Sequence, residues 1–154
     1  MILRLFRLIA VCGLLTSCSP EPKKEPPQAA EAPAVHDESR RFPQANLVGT
    51  KVVQRQLLGK PFMPGGTVAA YKKGKTEWRL FLAQFPDATS AAIALPDWRK
   101  ALADPKLEPS FGGYFGQDGG QPVFVFAKGA WIVGVSGLPE KDADAQARLL
   151  AAKL

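Results

Sequence analysis

Hydrophobic and polar residues alternate in short runs through most of the chain after residue 42, and glycine-containing turns separate the runs. The clearest run is residues 76–85, where Trp78, Leu80 and Leu82 occupy every second position. A period of two is typical of a β-strand with one buried face. We therefore predict strands in five runs, which are residues 67–71, 76–85, 110–117, 122–127 and 130–136.

Turn residues connect these runs in a simple order. The first two runs flank Lys72-Lys73-Gly74-Lys75, which predicts a hairpin. The last three are separated by tight glycine turns and predict an antiparallel meander. Residues 47–58 contain several valines without a clean period, so this stretch is predicted as either an edge strand or a short helix.

Two other stretches repeat their apolar residues with helical spacing. In the first, Asp87 is a suitable N-cap, and the apolar stripe continues through Pro96, where either the helix kinks or a second short helix begins at Asp97. The second stretch is residues 138–154. The stripes are Ala91, Leu95, Trp98 and Leu102 in the first stretch and Ala143, Ala147, Leu150 and Leu154 in the second.

Together these elements predict an α+β fold, in which an antiparallel sheet of about five strands carries two helices packed on one face. The pattern covers residues 42–154. That length suits a single domain with one modest core.

The start of the chain has a different pattern. Residues 1–7 carry Arg4 and Arg7 without an acidic residue, and residues 8–15 are almost wholly apolar. This order predicts a signal peptide for export over residues 1–17. The apolar run is much shorter than the roughly 20 residues that a membrane-spanning helix needs, so a transmembrane helix is the less favoured interpretation.

The apolar run ends in Leu15-Thr16-Ser17-Cys18, which resembles the lipobox of bacterial lipoproteins. The resemblance implies that lipid, with acyl chains such as palmitate, is attached to Cys18 and that the signal peptide is cleaved just before it. Ser19, rather than aspartate, follows the cysteine. In that family this implies the outer membrane, facing the periplasm, in a host with two membranes, and the cell membrane otherwise.

The segment after the lipobox, residues 18–41, is rich in Pro, Glu, Lys and Ala, and Val35 is its only large aliphatic residue. Such a composition cannot bury enough apolar surface to offset the entropy lost on ordering. We therefore predict a disordered tether between the lipidated cysteine and the folded domain.

The body of the chain resembles small α+β domains of unknown function in bacterial lipoproteins and secreted proteins. The resemblance rests on Phe85-Pro86-Asp87-Ala88 before an alanine-rich helix, and on Gly113-Tyr114-Phe115-Gly116 before paired strands. It implies the fold and assigns no residue a role.

Composition argues against most familiar catalytic chemistry. Cys12 lies in the predicted signal peptide, Cys18 would carry lipid, and the only histidine, His36, lies in the predicted tether. The folded domain would then hold no thiol and no imidazole, so we predict no catalytic triad, no metal site and no cofactor. The carboxylates mostly suit turns and helix starts, which makes a carboxylate-dependent hydrolase the third hypothesis.

Two groups of side chains are candidate binding surfaces. The domain, residues 42–154, carries 14 Lys and Arg against 9 Asp and Glu, and part of this excess surrounds the predicted hairpin. The candidate basic patch is Lys72, Lys73, Lys75 and Arg79, and the candidate aromatic patch is Phe111, Tyr114 and Phe115. In the envelope, a basic patch would meet anionic lipid or polymer rather than nucleic acid, although solvated lysines at a hairpin tip, which discourage edge aggregation, are the simpler explanation.

These observations favour a non-enzymatic envelope lipoprotein, held on the membrane through Cys18, whose tethered domain binds a protein partner or an envelope component. The alternative hypothesis is a carrier of a small apolar ligand or lipid, bound between the sheet and the helices.

Overall fold

The computed structural model describes residues 34–154. The predicted signal peptide, Cys18 and most of the predicted tether lie outside the described residues. The strands are β1 (Leu47–Arg55), β2 (Pro64–Lys73), β3 (Thr76–Gln84), β4 (Ala103–Glu108), β5 (Gly113–Asp118), β6 (Gln121–Lys128) and β7 (Trp131–Ser136). The helices are α1 (Ala88–Ala101) and α2 (Glu140–Ala151), and two 3-10 helices span Ser39–Arg41 and Leu57–Gly59.

The strands form one seven-stranded sheet in the order β1-β2-β3-β7-β6-β5-β4, and every neighbouring pair is antiparallel. Two meanders, β1 to β3 and β4 to β7, meet where β3 pairs with β7 and Leu80 lies opposite Val135. The predicted α+β class, with an antiparallel sheet and two helices, is confirmed.

The prediction of about five strands is wrong, because β1 and β4 extend the sheet at its two edges. Strand β4 contains Asp104-Pro105, a pair that indicates a helix end, and five of its six residues are exposed. Strand β1, for which the sequence allows a strand or a helix, is also mostly exposed. An edge strand that buries so little apolar surface leaves no clear alternation in the sequence.

The prediction that both helices pack on one face is also wrong. Along β3, Leu80 and Leu82 belong to the core that includes α2, whereas Phe81 and Ala83 belong to the core that includes α1. Because successive side chains of a strand point to opposite faces, the two helices cover opposite sides of the sheet. Central strands that are buried on both faces have nearly continuous apolar sequences. Such a run does not show that each face of the sheet packs against its own helix.

Helix α1 begins at the predicted cap. The Asp87 Oδ1 atom accepts a hydrogen bond from the backbone N–H of Ser90 at 2.7 Å. The same helix continues through Pro96, so no second helix begins at Asp97. Neither α1 nor α2, the α-helices of the described residues, is long and apolar enough to cross a membrane.

The inner face of α1 is built around Trp98, which is fully buried. Its indole stacks on Phe81 with the ring centroids 5.7 Å apart, and Nε1 donates a hydrogen bond to Met63 Sδ at 3.1 Å. The loop between β1 and β2, which carries Met63, therefore helps to close the core on this face.

On the α2 face, residues 34–43 lie against β2, and we call them the covering segment. The backbone N–H of Glu38 donates to Thr67 Oγ1 at 3.1 Å, and Thr67 is a fully buried polar residue of β2. Phe42 is buried in the same core as α2. The sequence assigns residues 34–41 to the tether, but in the structure this part of the chain contacts the sheet.

Arg41 connects the covering segment to β7 and to the residues that follow α2. Its guanidinium lies 5.1 Å from the ring centre of Trp131, and its Nη1 donates to the backbone oxygen of Lys153 at 2.9 Å. Both hydrophobic cores lie within the described residues, which belong to one compact unit.

Candidate functional site

One cleft, which we call the apolar cleft, has a volume of about 710 Å³ and lies where β2 begins and β3 ends. Its walls are mainly apolar and include Val35, Met63, Leu82, Phe85, Pro86 and Trp131. Polar groups from His36, Glu38, Gln54 and Gln84 also line it. The cleft therefore combines apolar walls with a few hydrogen-bonding groups, as ligand sites commonly do.

The covering segment forms one wall of the apolar cleft. Val35 lies against Gly65 so closely that a Cβ atom added to Gly65 would overlap the Val35 side chain and the backbone oxygen of Gln54. The sequence analysis places Val35 and His36 in the tether and so misses both. The available signal is that two apolar residues, Val35 and Phe42, lie on either side of residues 37–41, four of which are charged.

Trp131 forms part of the apolar cleft from the opposite side. It is the first residue of β7, where it pairs with Gln84 of β3. Its ring also makes a cation–π contact with the guanidinium of Arg41. This tryptophan was not among the candidate residues, because only the strand register brings it beside the covering segment.

The second cleft, the polar cleft, has a volume of about 600 Å³ and lies at the other end of β2 and β3. It is bounded by the β2–β3 hairpin, the end of β7 and the start of β6. Its side chains are mostly polar, and those used below are Lys75, Glu77, Trp78, Arg79, Gln121 and Ser136.

The four residues of the predicted basic patch are all exposed at this hairpin, but they do not act alike. Lys75 and Arg79 line the polar cleft, whereas Lys72 pairs with Glu77 at 2.6 Å. That hydrogen bond, followed by the charge of Lys72, holds the pKa of Glu77 below its ordinary value. Lys73 is exposed outside the cleft.

The predicted aromatic patch does not form one surface. Phe111 and Phe115 pack against the core on the α2 face, and Phe111 lies 4.4 Å from Phe126 between ring centroids. Tyr114 belongs to the α1 face, where the guanidinium of Arg99 lies 5.9 Å from its ring centre. Adjacent residues of a strand point to opposite faces, which separates Tyr114 from Phe115.

Two carboxylates do approach each other, but outside both clefts. Glu108 at the end of β4 contacts Glu140 at the start of α2, and burial together with this neighbour raises the pKa of Glu108. Lys106 pairs with Glu140 at 3.4 Å. Within residues 34–154, no group of three or more His, Cys, Asp and Glu side chains is arranged to hold a metal ion.

The chain matches no protein-family model, and it matches no curated protein.

Proposed function

We propose that this chain is a non-enzymatic, lipid-anchored envelope protein whose folded domain binds the apolar part of an envelope component. The observation that carries the proposal is the apolar cleft of about 710 Å³, with Trp131, Phe85 and Val35 in its walls. Ligand sites in proteins commonly enclose about 300–1,000 Å³ and are mainly apolar with a few polar groups.

The polar lining supports an amphipathic ligand rather than a pure hydrocarbon. His36 and Glu38 come from the covering segment, and Gln54 and Gln84 come from β1 and β3. The amides of Gln54 and Gln84 can fix the orientation of a ligand by hydrogen bonding to its polar end, whereas the Glu38 carboxylate is already paired with Arg41 at 2.6 Å. A lipid or lipid-like envelope molecule has this chemistry.

The sequence supports the location. A basic start, a short apolar run and Leu15-Thr16-Ser17-Cys18 follow one another in the order of a lipoprotein signal. Replacing Cys18 with Ala is expected to abolish both lipid labelling of the protein and removal of the signal at that site. Lipid labelling that persists in Cys18→Ala would contradict the anchor.

The position of the carboxylates supports a non-enzymatic role. A glycosidase needs two carboxyl groups that face each other across a substrate. Glu108 and Glu140 are in contact on the surface between β4 and α2, and neither lines the apolar cleft.

Ligand binding is tested on the mature polypeptide without its lipid, residues 19–154, titrated with a fluorescent long-chain fatty acid. Gln84→Trp fills the mouth of the apolar cleft from an exposed position. We expect the affinity of Gln84→Trp for the fatty acid to be at least about tenfold lower than that of the wild type, which corresponds to about 1.4 kcal/mol. The matched control is Val48→Trp, at an exposed position of β1 that lines neither cleft.

Equal affinity in wild type and Gln84→Trp would contradict a ligand site in this cleft. If the fatty acid does not bind, and crosslinking in intact envelopes through the cleft residues yields one stable protein neighbour, the domain binds a protein partner instead. The second readout uses wild-type protein purified from its host. Extraction of this protein with organic solvent should release a bound lipid.

A further inference from the structure

We infer that the polar cleft binds the anionic group of a ligand, a carboxylate or a phosphate. This site is separate from the apolar cleft and does not depend on its function.

The cations of the polar cleft are available to a ligand. Lys75 and Arg79 both line it, and neither forms an ion pair within residues 34–154. The carboxylate of Glu77 also lines the cleft, but Lys72 already pairs with it at 2.6 Å. Two cations therefore remain without a carboxylate partner in the described part of the chain.

Strand register gives Arg79 room to act. Arg79 of β3 lies between Ala70 of β2 and Ser136 of β7, in a row that crosses three strands. These paired neighbours have short, uncharged side chains, so neither is an ion-pair partner for the guanidinium. A planar guanidinium can donate two parallel hydrogen bonds to a carboxylate or phosphate.

Trp78 takes no part in this site. Its indole stacks on Tyr71, 5.3 Å between ring centroids, in the core that includes α2, whereas Arg79 projects to the opposite face of the sheet.

Two neutral groups complete the set of donors. The hydroxyl of Ser136 and the amide of Gln121 line the same cleft. Both can donate to an oxygen, and neither adds a negative charge. The combination of two cations and two neutral donors fits an oxyanion, since the one carboxylate in the lining, Glu77, is already paired with Lys72.

The test uses the mature polypeptide, residues 19–154, labelled with nitrogen-15 and titrated with inorganic phosphate and with acetate at constant ionic strength. We expect a saturable shift of the Ser136 backbone amide resonance, because Ser136 lines the cleft opposite Arg79. The indole resonances of Trp98, which donates to Met63 Sδ, and of Trp131, in the apolar cleft, are internal controls and should not follow it.

Arg79→Gln is expected to weaken phosphate binding about tenfold or more, because it removes a charge-assisted pair of hydrogen bonds. Lys75→Gln, at an exposed turn position, should weaken it several-fold and serves if Arg79→Gln folds poorly. Lys51→Gln is the matched control, because Lys51 is an exposed lysine of β1 outside the cleft. The inference fails if the wild type shows no saturable Ser136 shift, or if Lys51→Gln lowers binding as much as Lys75→Gln.

Vesicles distinguish the two sources of such a group. If phosphatidylglycerol vesicles displace phosphate from the wild type and phosphatidylcholine vesicles do not, the anionic group belongs to a lipid headgroup. If neither displaces it, the ligand is a soluble anion, and the site stands in both cases. Gln84→Trp should leave phosphate binding unchanged, which separates this test from the test of the apolar cleft.

Discussion

At the residue scale, the absence of one side chain decides how the α1 face packs. Gly134 of β7 lies opposite Phe81 of β3, and a Cβ atom added to Gly134 would overlap the Phe81 ring. That ring in turn stacks on Trp98. The sequence shows Gly134 within an apolar run, but it cannot show that a phenyl ring occupies the missing volume.

Gly134→Ala should therefore destabilise the protein by about 2–3 kcal/mol, the cost of forcing a well-packed core to shift. Urea unfolding of the two proteins measures the difference. Gly49→Ala is the control, since Gly49 of β1 has no atom within 4 Å of an added Cβ and should change stability little. A similar loss in both variants would show that backbone freedom, rather than the Phe81 contact, is responsible.

Tyr71 gives the stability a dependence on alkaline pH. Its hydroxyl donates to the backbone oxygen of Pro43 at 2.9 Å, and burial raises its pKa from 10.0 to about 12. Between those pH values the unfolded chain loses the phenol proton and the folded protein keeps it. Rising pH therefore favours unfolding over this interval.

Tyr71→Phe should remove this part of the alkaline loss. At neutral pH the variant should be less stable by about 1 kcal/mol, because the Pro43 oxygen loses its donor. Urea unfolding from pH 7 to 11.5 compares the two proteins, and their difference cancels the titration of the lysines. Parallel stability curves above pH 10 would argue against a shifted Tyr71.

At the scale of elements, the sequence predicts best where local chemistry decides. The β2–β3 hairpin turns at Gly74 with a φ of +60°, as the Lys72-Lys73-Gly74-Lys75 turn predicts, and α1 begins after its Asp87 cap. At Gly113 the strands β5 and β6 approach too closely for a side chain, because an added Cβ would meet the backbone oxygen of Val125.

The elements that the sequence does not predict are those whose formation depends on neighbouring strands. Strand β4 exists because it pairs with β5, with Lys106 opposite Phe115, although its own residues are mostly exposed. The two clefts are missed for the same reason. Trp131 meets the covering segment, and Arg79 meets Ser136, only through strand pairing that no local pattern encodes.

Pro96 is a destabilising residue within α1. It lies in the interior of a continuous 14-residue helix, where it cannot donate a backbone hydrogen bond. Because Pro96 is exposed, Ala can replace it without disturbing the core. We expect Pro96→Ala to raise the free energy of unfolding by on the order of 1–3 kcal/mol, measured in urea. A decrease would mean that the proline sets a bend that α1 needs.

At the scale of the molecule, the two clefts lie at opposite ends of the β2–β3 pair. The apolar cleft lies beside the covering segment, where the chain enters the described structure, and the polar cleft lies at the hairpin. About seven strand residues of ~3.3 Å each separate Gly66 from Lys73. The two clefts are therefore treated as separate sites for separate ligands.

The covering segment should matter for stability as well as for the site. A chain that begins at Phe42 lacks the Glu38 hydrogen bond to the buried Thr67 and the Arg41 contact with Trp131. We expect it to be less stable than a chain that begins at residue 34 by on the order of 2 kcal/mol. Urea unfolding of both chains tests this. Equal midpoints would show that residues 34–41 do not stabilise the folded domain and act only as a spacer.

The covering segment also determines how the domain would respond to tension. If the chain is held at Cys18 as proposed, a pull on the domain is transmitted through residue 34 and loads the covering segment first. Its contacts with Thr67 and Trp131 lie one after another along the segment, so they detach in sequence, whereas β1 behind them is held by a ladder with β2. Stretching would therefore remove one wall of the apolar cleft before the sheet itself yields.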